Sequence, residues 1–214
     1  MIFLSFLFAC SSSPSADVAA EAPEGTPQLE VVNQDGPAAP RGTPNAPADG
    51  EPPFGLVNDD CSNVPKDAEL EGPDCITAAI SCGDTVVGHT IGGSNNFTTK
   101  FYEKHFCTPA TTDHDSGDER VYRLDMPAGD WTADVYLDTP CADLDMAAVK
   151  WDQDVCPTVA SNVLQCEMAI QNGGRREHLR LSSRGETSWL VSVEGKANQE
   201  GAFALVVKCH EGLL

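Results

Sequence analysis

The sequence predicts an all-β fold: an antiparallel, jelly-roll-like β-sandwich, stabilised by disulfides, behind a disordered N-terminal tether. Three observations predict it. Apolar residues recur at every second position in the C-terminal part, as in Tyr122, Leu124 and Met126 or Leu179 and Leu181, with no sustained helical period. Breaks rich in Gly and Pro separate these runs at short intervals. Nine cysteines fall in 214 residues with no C-x2-C pair and no H-x3-5-H partner, so disulfides in an oxidising compartment suit them better than zinc.

Taken in order, residues 2–9 are apolar but far short of the ~20 residues that cross a bilayer as a helix. Residues 11–60 are rich in Ala, Pro, Gly, Ser and acids. They cannot bury enough apolar surface to offset chain entropy, and read as a disordered, acidic linker. As a coil this linker spans ~35–42 Å. Residues 61–214 form the folded domain. Residues 76–80 lead to a first strand over 84–91, then a turn over 92–96 and a short strand over 99–103. Residues 118–137 read as a hairpin, with Tyr122, Leu124 and Met126 before a Pro127-Ala128-Gly129-Asp130 turn and Trp131, Ala133, Val135 and Leu137 after it. Strands follow over 144–151, around Met168 and Ile170, and over 177–183, 187–193 and 202–209. The expected core is Val87, Tyr122, Leu124, Trp131, Val135, Leu144, Leu179, Leu181, Trp189, Val191, Val193, Phe203, Leu205 and Val207.

The net charge is −20. Residues 1–60 carry one base against nine acids (−8), and residues 61–214 carry 12 bases against 24 acids (−12). Such an excess repels nucleic acid and anionic membrane surfaces, so no nucleic-acid partner is expected.

The apolar run ends in Leu7-Phe8-Ala9-Cys10, followed by three serines. This resembles the bacterial lipoprotein signal, in which the cysteine is lipidated and becomes the mature N-terminus. The resemblance implies Cys10 as the lipidation site and a membrane partner reached through acyl chains. It also implies a place in the bacterial cell envelope, at the outer membrane. Eight cysteines then remain. Proximity pairs Cys61–Cys75 and Cys156–Cys166, first and last strands pair Cys82–Cys209, and Cys107–Cys141 is left, one arrangement among ~105.

Residues 83–209 resemble the bacterial pre-peptidase C-terminal domain. The pieces appear in family order: Gly88-His89-Thr90-Ile91-Gly92; Asp118-Glu119 before Tyr122 and Leu124; Ala128-Gly129; residues 131–137; Asp143-Leu144-Asp145-Met146; Glu177; and Gly185, Trp189, Val193-Glu194-Gly195, Gly201, Phe203, Leu205 and Val207. The resemblance implies a jelly-roll sandwich acting as an accessory module, some of whose relatives bind calcium or insoluble polymers.

For chemistry, Asp113, Asp115, Asp118 and Glu119 around Gly117 resemble part of a calcium loop without the full ligand set; an acidic surface loop is the preferred reading, and calcium is the one cofactor considered. Asp138, Asp143 and Asp145 read as turn caps and solvated side chains. No H-E-x-x-H or G-x-S-x-G occurs, the five histidines form no ligand pattern, and no catalytic residue is assigned. Arg175, Arg176, Arg180 and Arg184 form a modest basic patch. Of the tryptophans, Trp151 is expected at the surface. The reading is a non-catalytic, membrane-anchored binding or scaffolding lipoprotein for a polymer, polysaccharide or protein ligand. The alternatives are a secreted hydrolase with an unrecognised acidic active site, or a purely structural envelope protein.

Overall fold

Two stretches of chain, residues 119–138 and 176–195, pair antiparallel along almost their whole length and run through both layers of a sandwich. The computed structural model describes residues 55–64, 75–107, 113–170 and 176–213. Among them the order is β1 (Ile76–Ile80), β2 (Thr85–His89), α1 (Thr99–Lys104), β3 (Glu119–Met126), β4 (Asp130–Asp138), β5 (Leu144–Lys150), β6 (Cys166–Ala169), β7 (Arg176–Arg184), β8 (Thr187–Gly195) and β9 (Ala202–Glu211). One sheet runs β1-β3-β8-β5-β6 and the other β2-β9-β4-β7. All pairings are antiparallel except β1 with β3.

The expected hairpin over 118–137 is corrected by this topology: β3 and β4 belong to different sheets. The Pro127–Gly129 turn carries the chain across the sandwich, and Gly185 does the same between β7 and β8. The two corners touch, with Gly185 N donating to Gly129 O at 2.7 Å. Both glycines have positive φ, +110° and +83°, which side chains rarely adopt. The register slips by one residue at the corner, from Met126 opposite Thr187 to Asp130 opposite Arg184. Alternation had identified the face turned inward. It carried no information on which strand lies alongside.

Tyr122, Leu124, Val135, Leu137, Leu181, Trp189, Val191, Phe203 and Leu205 fill the space between the sheets, each wholly buried. Trp131 packs at the edge of this core. On β2 the inward residue is Val86, not Val87, a one-residue register error. Gly88 lies inward as well, and a Cβ there would meet the Phe203 ring at 3.0 Å.

The five-stranded sheet is also covered outside. Phe97, Phe101 and Tyr102 pack with Val121, Ala147, Val149, Trp151 and Leu190, which is why β5 is buried from Leu144 through Val149. Each fully buried aromatic contributes ~2–3 kcal/mol. The short strand expected over 99–103 is instead α1. Thr98 caps it, its side chain accepting from Phe101 N, and Phe97, just before the cap, stacks on Phe101 at 4.6 Å and fixes the entry of the chain.

Residues 55–64 lie on one end of the other sheet's outer face. Val57 and Val64 pack on Ala202 and Ala204, and Gly55 N donates to Asp138 at 2.9 Å. The folded body therefore includes residues 55–60, which the sequence reading placed in the linker. Cys10 and residues 11–54 lie outside the described residues.

Cys82 pairs with Cys209, as expected for first and last strands of one sheet. The other three pairings are corrected: the disulfides are Cys61–Cys141, Cys75–Cys156 and Cys107–Cys166, in place of Cys61–Cys75, Cys107–Cys141 and Cys156–Cys166. Closeness in sequence misled. Cys61 lies on the outer face of the four-stranded sheet, beside the β4–β5 connection. Cys75 enters β1 on the opposite side of the molecule, where Cys156 and Cys166 lie over the other sheet.

Candidate functional site

The four carboxylates considered as calcium ligands do not converge. Asp115 Oδ1 accepts from Thr99 N at 3.0 Å, and Asp118 Oδ2 accepts from Gly92 N at 2.9 Å. Glu119, 1% exposed, accepts from Ser94 Oγ, Asn96 N and Phe97 N. Asp113 stands exposed with φ +72°. Three of the carboxylates are thus already committed to different backbone N–H groups. No set of three His, Cys, Asp or Glu side chains able to hold a metal occurs among the described residues.

The same loop sends His114 inward. Its ring lies 3.6 Å from Asp145 and 3.5 Å from Glu194, and both carboxylates are nearly inaccessible. Asp145 is therefore not the solvated side chain the sequence suggested. Asp138 serves as an acceptor for Gly55 N on the other sheet, whereas Asp143 lies near enough to Asp145 to raise its pKa, so only two of the three act together.

Above this cluster lies a layer of loops locked by two disulfides, Cys107–Cys166 and Cys75–Cys156. His105 Nε2 meets Thr158 O at 3.2 Å, joining the end of α1 to the 151–166 loop. The three exposed large hydrophobics of the described residues all lie in this layer: Phe106 at 84%, Leu164 at 77% and Val155 at 49%. Phe106 has φ +55°, a conformation that costs a side-chain-bearing residue ~1–2 kcal/mol. It is held there between the end of α1 and the Cys107 cross-link. Trp151, expected at the surface, lies beneath this layer at 7% exposure, donating Nε1–H to Val155 O.

A second surface lies on the outer face of the four-stranded sheet. Asp134 of β4, its side chain 2% exposed, accepts from Arg180 Nε at 2.8 Å and faces His178 Nε2 at 2.7 Å and His210 Nδ1 at 3.7 Å. Burial alone would raise its pKa, but hydrogen bonds from Arg180 and His178 and their charges hold it below the usual carboxylate value. His178 stacks on Tyr136 at 4.6 Å. The basic patch read from sequence is therefore real for Arg176, Arg180 and Arg184, which share the exposed face of β7. Arg175 lies outside the described residues. The alternation of β7 gave that face away. Nothing in the sequence marked Phe106, or paired His114 with Glu194 and Asp145, because those meetings depend on cross-strand register.

No family model matches this chain, and no match is found among the curated proteins. Among solved structures, the pre-peptidase C-terminal domain of a collagenase from Bacillus anthracis is similar with a TM-score of 0.39 and 16% identity, over 62% of this chain and 96% of that one.

Proposed function

We propose that this chain is a non-catalytic lipoprotein of the bacterial cell envelope, tethered through Cys10, that presents a β-sandwich of the pre-peptidase C-terminal kind to a polysaccharide, other polymer or protein ligand. The ordered sequence pieces from Gly88 to Val207 support the domain kind, and four disulfides support an oxidising compartment. One observation carries the binding reading. Phe106 is an aromatic held in water by a costly backbone conformation on a cross-linked loop, where a merely structural residue gains nothing from exposure. The hydrolase reading is weaker, since the clustered carboxylates lie beneath side chains and offer substrate no access. Two experiments test the proposal. Labelled palmitate should enter the wild-type protein in a bacterial host and not Cys10→Ala. An array of polysaccharides and peptides should retain the protein without being cut, and release of fragments would overturn the reading.

A further inference from the structure

Three carboxylates lie side by side on adjacent strands of the five-stranded sheet. Glu119 of β3 is opposite Glu194 of β8, and Glu194 is opposite Asp145 of β5. All are 1–3% exposed. Side chains opposite one another across strands approach to ~5 Å, where like charges repel. His114 reaches over the row from the 113–118 loop, within 3.6 Å of Asp145 and 3.5 Å of Glu194. Tyr102 of α1 and Ser192 of β8 border it. Tyr102 OH is directed at Glu194 and Ser192, while His114 Nδ1 is buried without a hydrogen bond of good geometry.

The surrounding charges do not neutralise the row. Asp118 lies beside Glu119, Asp143 beside Asp145, and Asp113 and Asp115 flank His114; Lys196 is the cation acting on His114 and Asp145. Glu119 has the most donors, Ser94, Asn96 and Phe97, which oppose the upward push of burial on its pKa, whereas Glu194 has Tyr102. A second and third buried anion would be uncompensated, which is far costlier than holding protons.

The loop that carries His114 is held by hydrogen bonds from several segments, among them Asn95 Nδ2 to Asp115 O and Gly92 N to Asp118 Oδ2. His114 N donates to Thr99 Oγ1 and Thr99 N to Asp115, tying the loop to the start of α1. Ala197 N donates to Asp113 O at 2.7 Å. Gly117 lies so close to Gly195 that a Cβ would be 2.2 Å from its carbonyl oxygen.

We propose that this row is a proton-operated latch: protons held on Glu194 and Asp145 beneath a neutral His114 seat the 113–118 loop and α1 on the sheet, and their loss as the pH rises releases both. The direction follows from burial. Burial, aided by Glu119, pushes Glu194 well above the usual carboxylate value; burial and Asp143 push Asp145 to about 6; burial and Lys196 lower His114. As pH rises the two acids gain charge while the histidine stays neutral.

The test is hydrogen–deuterium exchange on the full chain with disulfides intact, from pH 5.5 to 8.5, corrected for intrinsic rates. Protection in residues 99–107 and 113–118, relative to residues 131–137 of β4, should fall about tenfold or more as the pH rises. Unchanged relative protection in the wild-type protein would overturn the latch without any variant being needed. In Asp145→Asn/Glu194→Gln the fall should vanish, and a fall of the wild-type size would equally overturn it. The latch stands or falls independently of any ligand.

Discussion

Replacing Asp145 with asparagine should stabilise the protein at pH 8 and leave it nearly unchanged at pH 4. The folded carboxyl titrates at about 6, raised by burial first and by Asp143 second, with Lys196 opposing. An aspartate in an unfolded chain titrates near ~3.9. A folded pKa above the unfolded one means that protonated Asp145 favours the fold. Its contribution is complete below about pH 4, is lost as the pH rises to about 6, and is absent at pH 8. About two pKa units at ~1.36 kcal/mol each make ~3 kcal/mol the ceiling. Coupling to Glu194 and His114 shares out part of that, so the expected gain for Asp145→Asn at pH 8 is ~1–3 kcal/mol. Urea unfolding with disulfides intact, at both pH values, measures it. A loss of more than ~1 kcal/mol at pH 8 would refute the reasoning, because Asp145 would then be the working anion of an ion pair with His114.

Three further predictions follow from the same geometry. Phe106→Asn should cost no stability and gain up to ~1 kcal/mol, since asparagine tolerates positive φ and little of the ring is buried; a loss above ~1 kcal/mol in urea unfolding would make Phe106 a structural residue. Replacing Cys82 and Cys209 together with serine opens a link spanning 127 residues, for which chain entropy predicts a loss of ~5 kcal/mol. The remaining cross-links already restrain the unfolded chain, so ~2–4 kcal/mol is expected, and a loss under ~1 kcal/mol in thermal unfolding would contradict it. Asp134→Ala should cost ~1–3 kcal/mol at neutral pH by removing the acceptor of Arg180 and His178. Because the Asp134 pKa lies below the usual value, that contribution is present at neutral pH and fades as the pH falls through the folded pKa, so variant and wild type should converge in acid.

Much of the sandwich was legible in sequence because period-two alternation reports which side chains face inward. Twelve of the residues expected in the core, from Tyr122 to Val207, lie in the central cluster. What alternation leaves out is strand partnership. The turn at Pro127–Gly129 has hairpin chemistry, yet it crosses between sheets because the 119–138 segment is bent over its partner as one ribbon. The disulfides failed for the same reason: Cys61 and Cys75 are neighbours in sequence but lie on opposite sides of the molecule. The 113–119 acids are legible as a cluster, but what each of them binds is not. Composition shows carboxylates and not the backbone N–H groups of Gly92, Phe97 and Thr99 that claim them. The helix at Thr99–Lys104 was missed because six residues are too few for a periodic signal, although Thr98 and the spacing of Phe97 and Phe101 were there to be read.

Retention of the wild-type protein and Phe106→Asp on one array of immobilised polysaccharides and peptides, with the supernatant assayed for released fragments, tests the proposed role most directly. The account predicts that the wild-type protein is held on at least one surface, that Phe106→Asp is held at least about tenfold more weakly while unfolding normally, and that nothing is cut. Equal retention of the two proteins, or fragments released by the wild type, would contradict it.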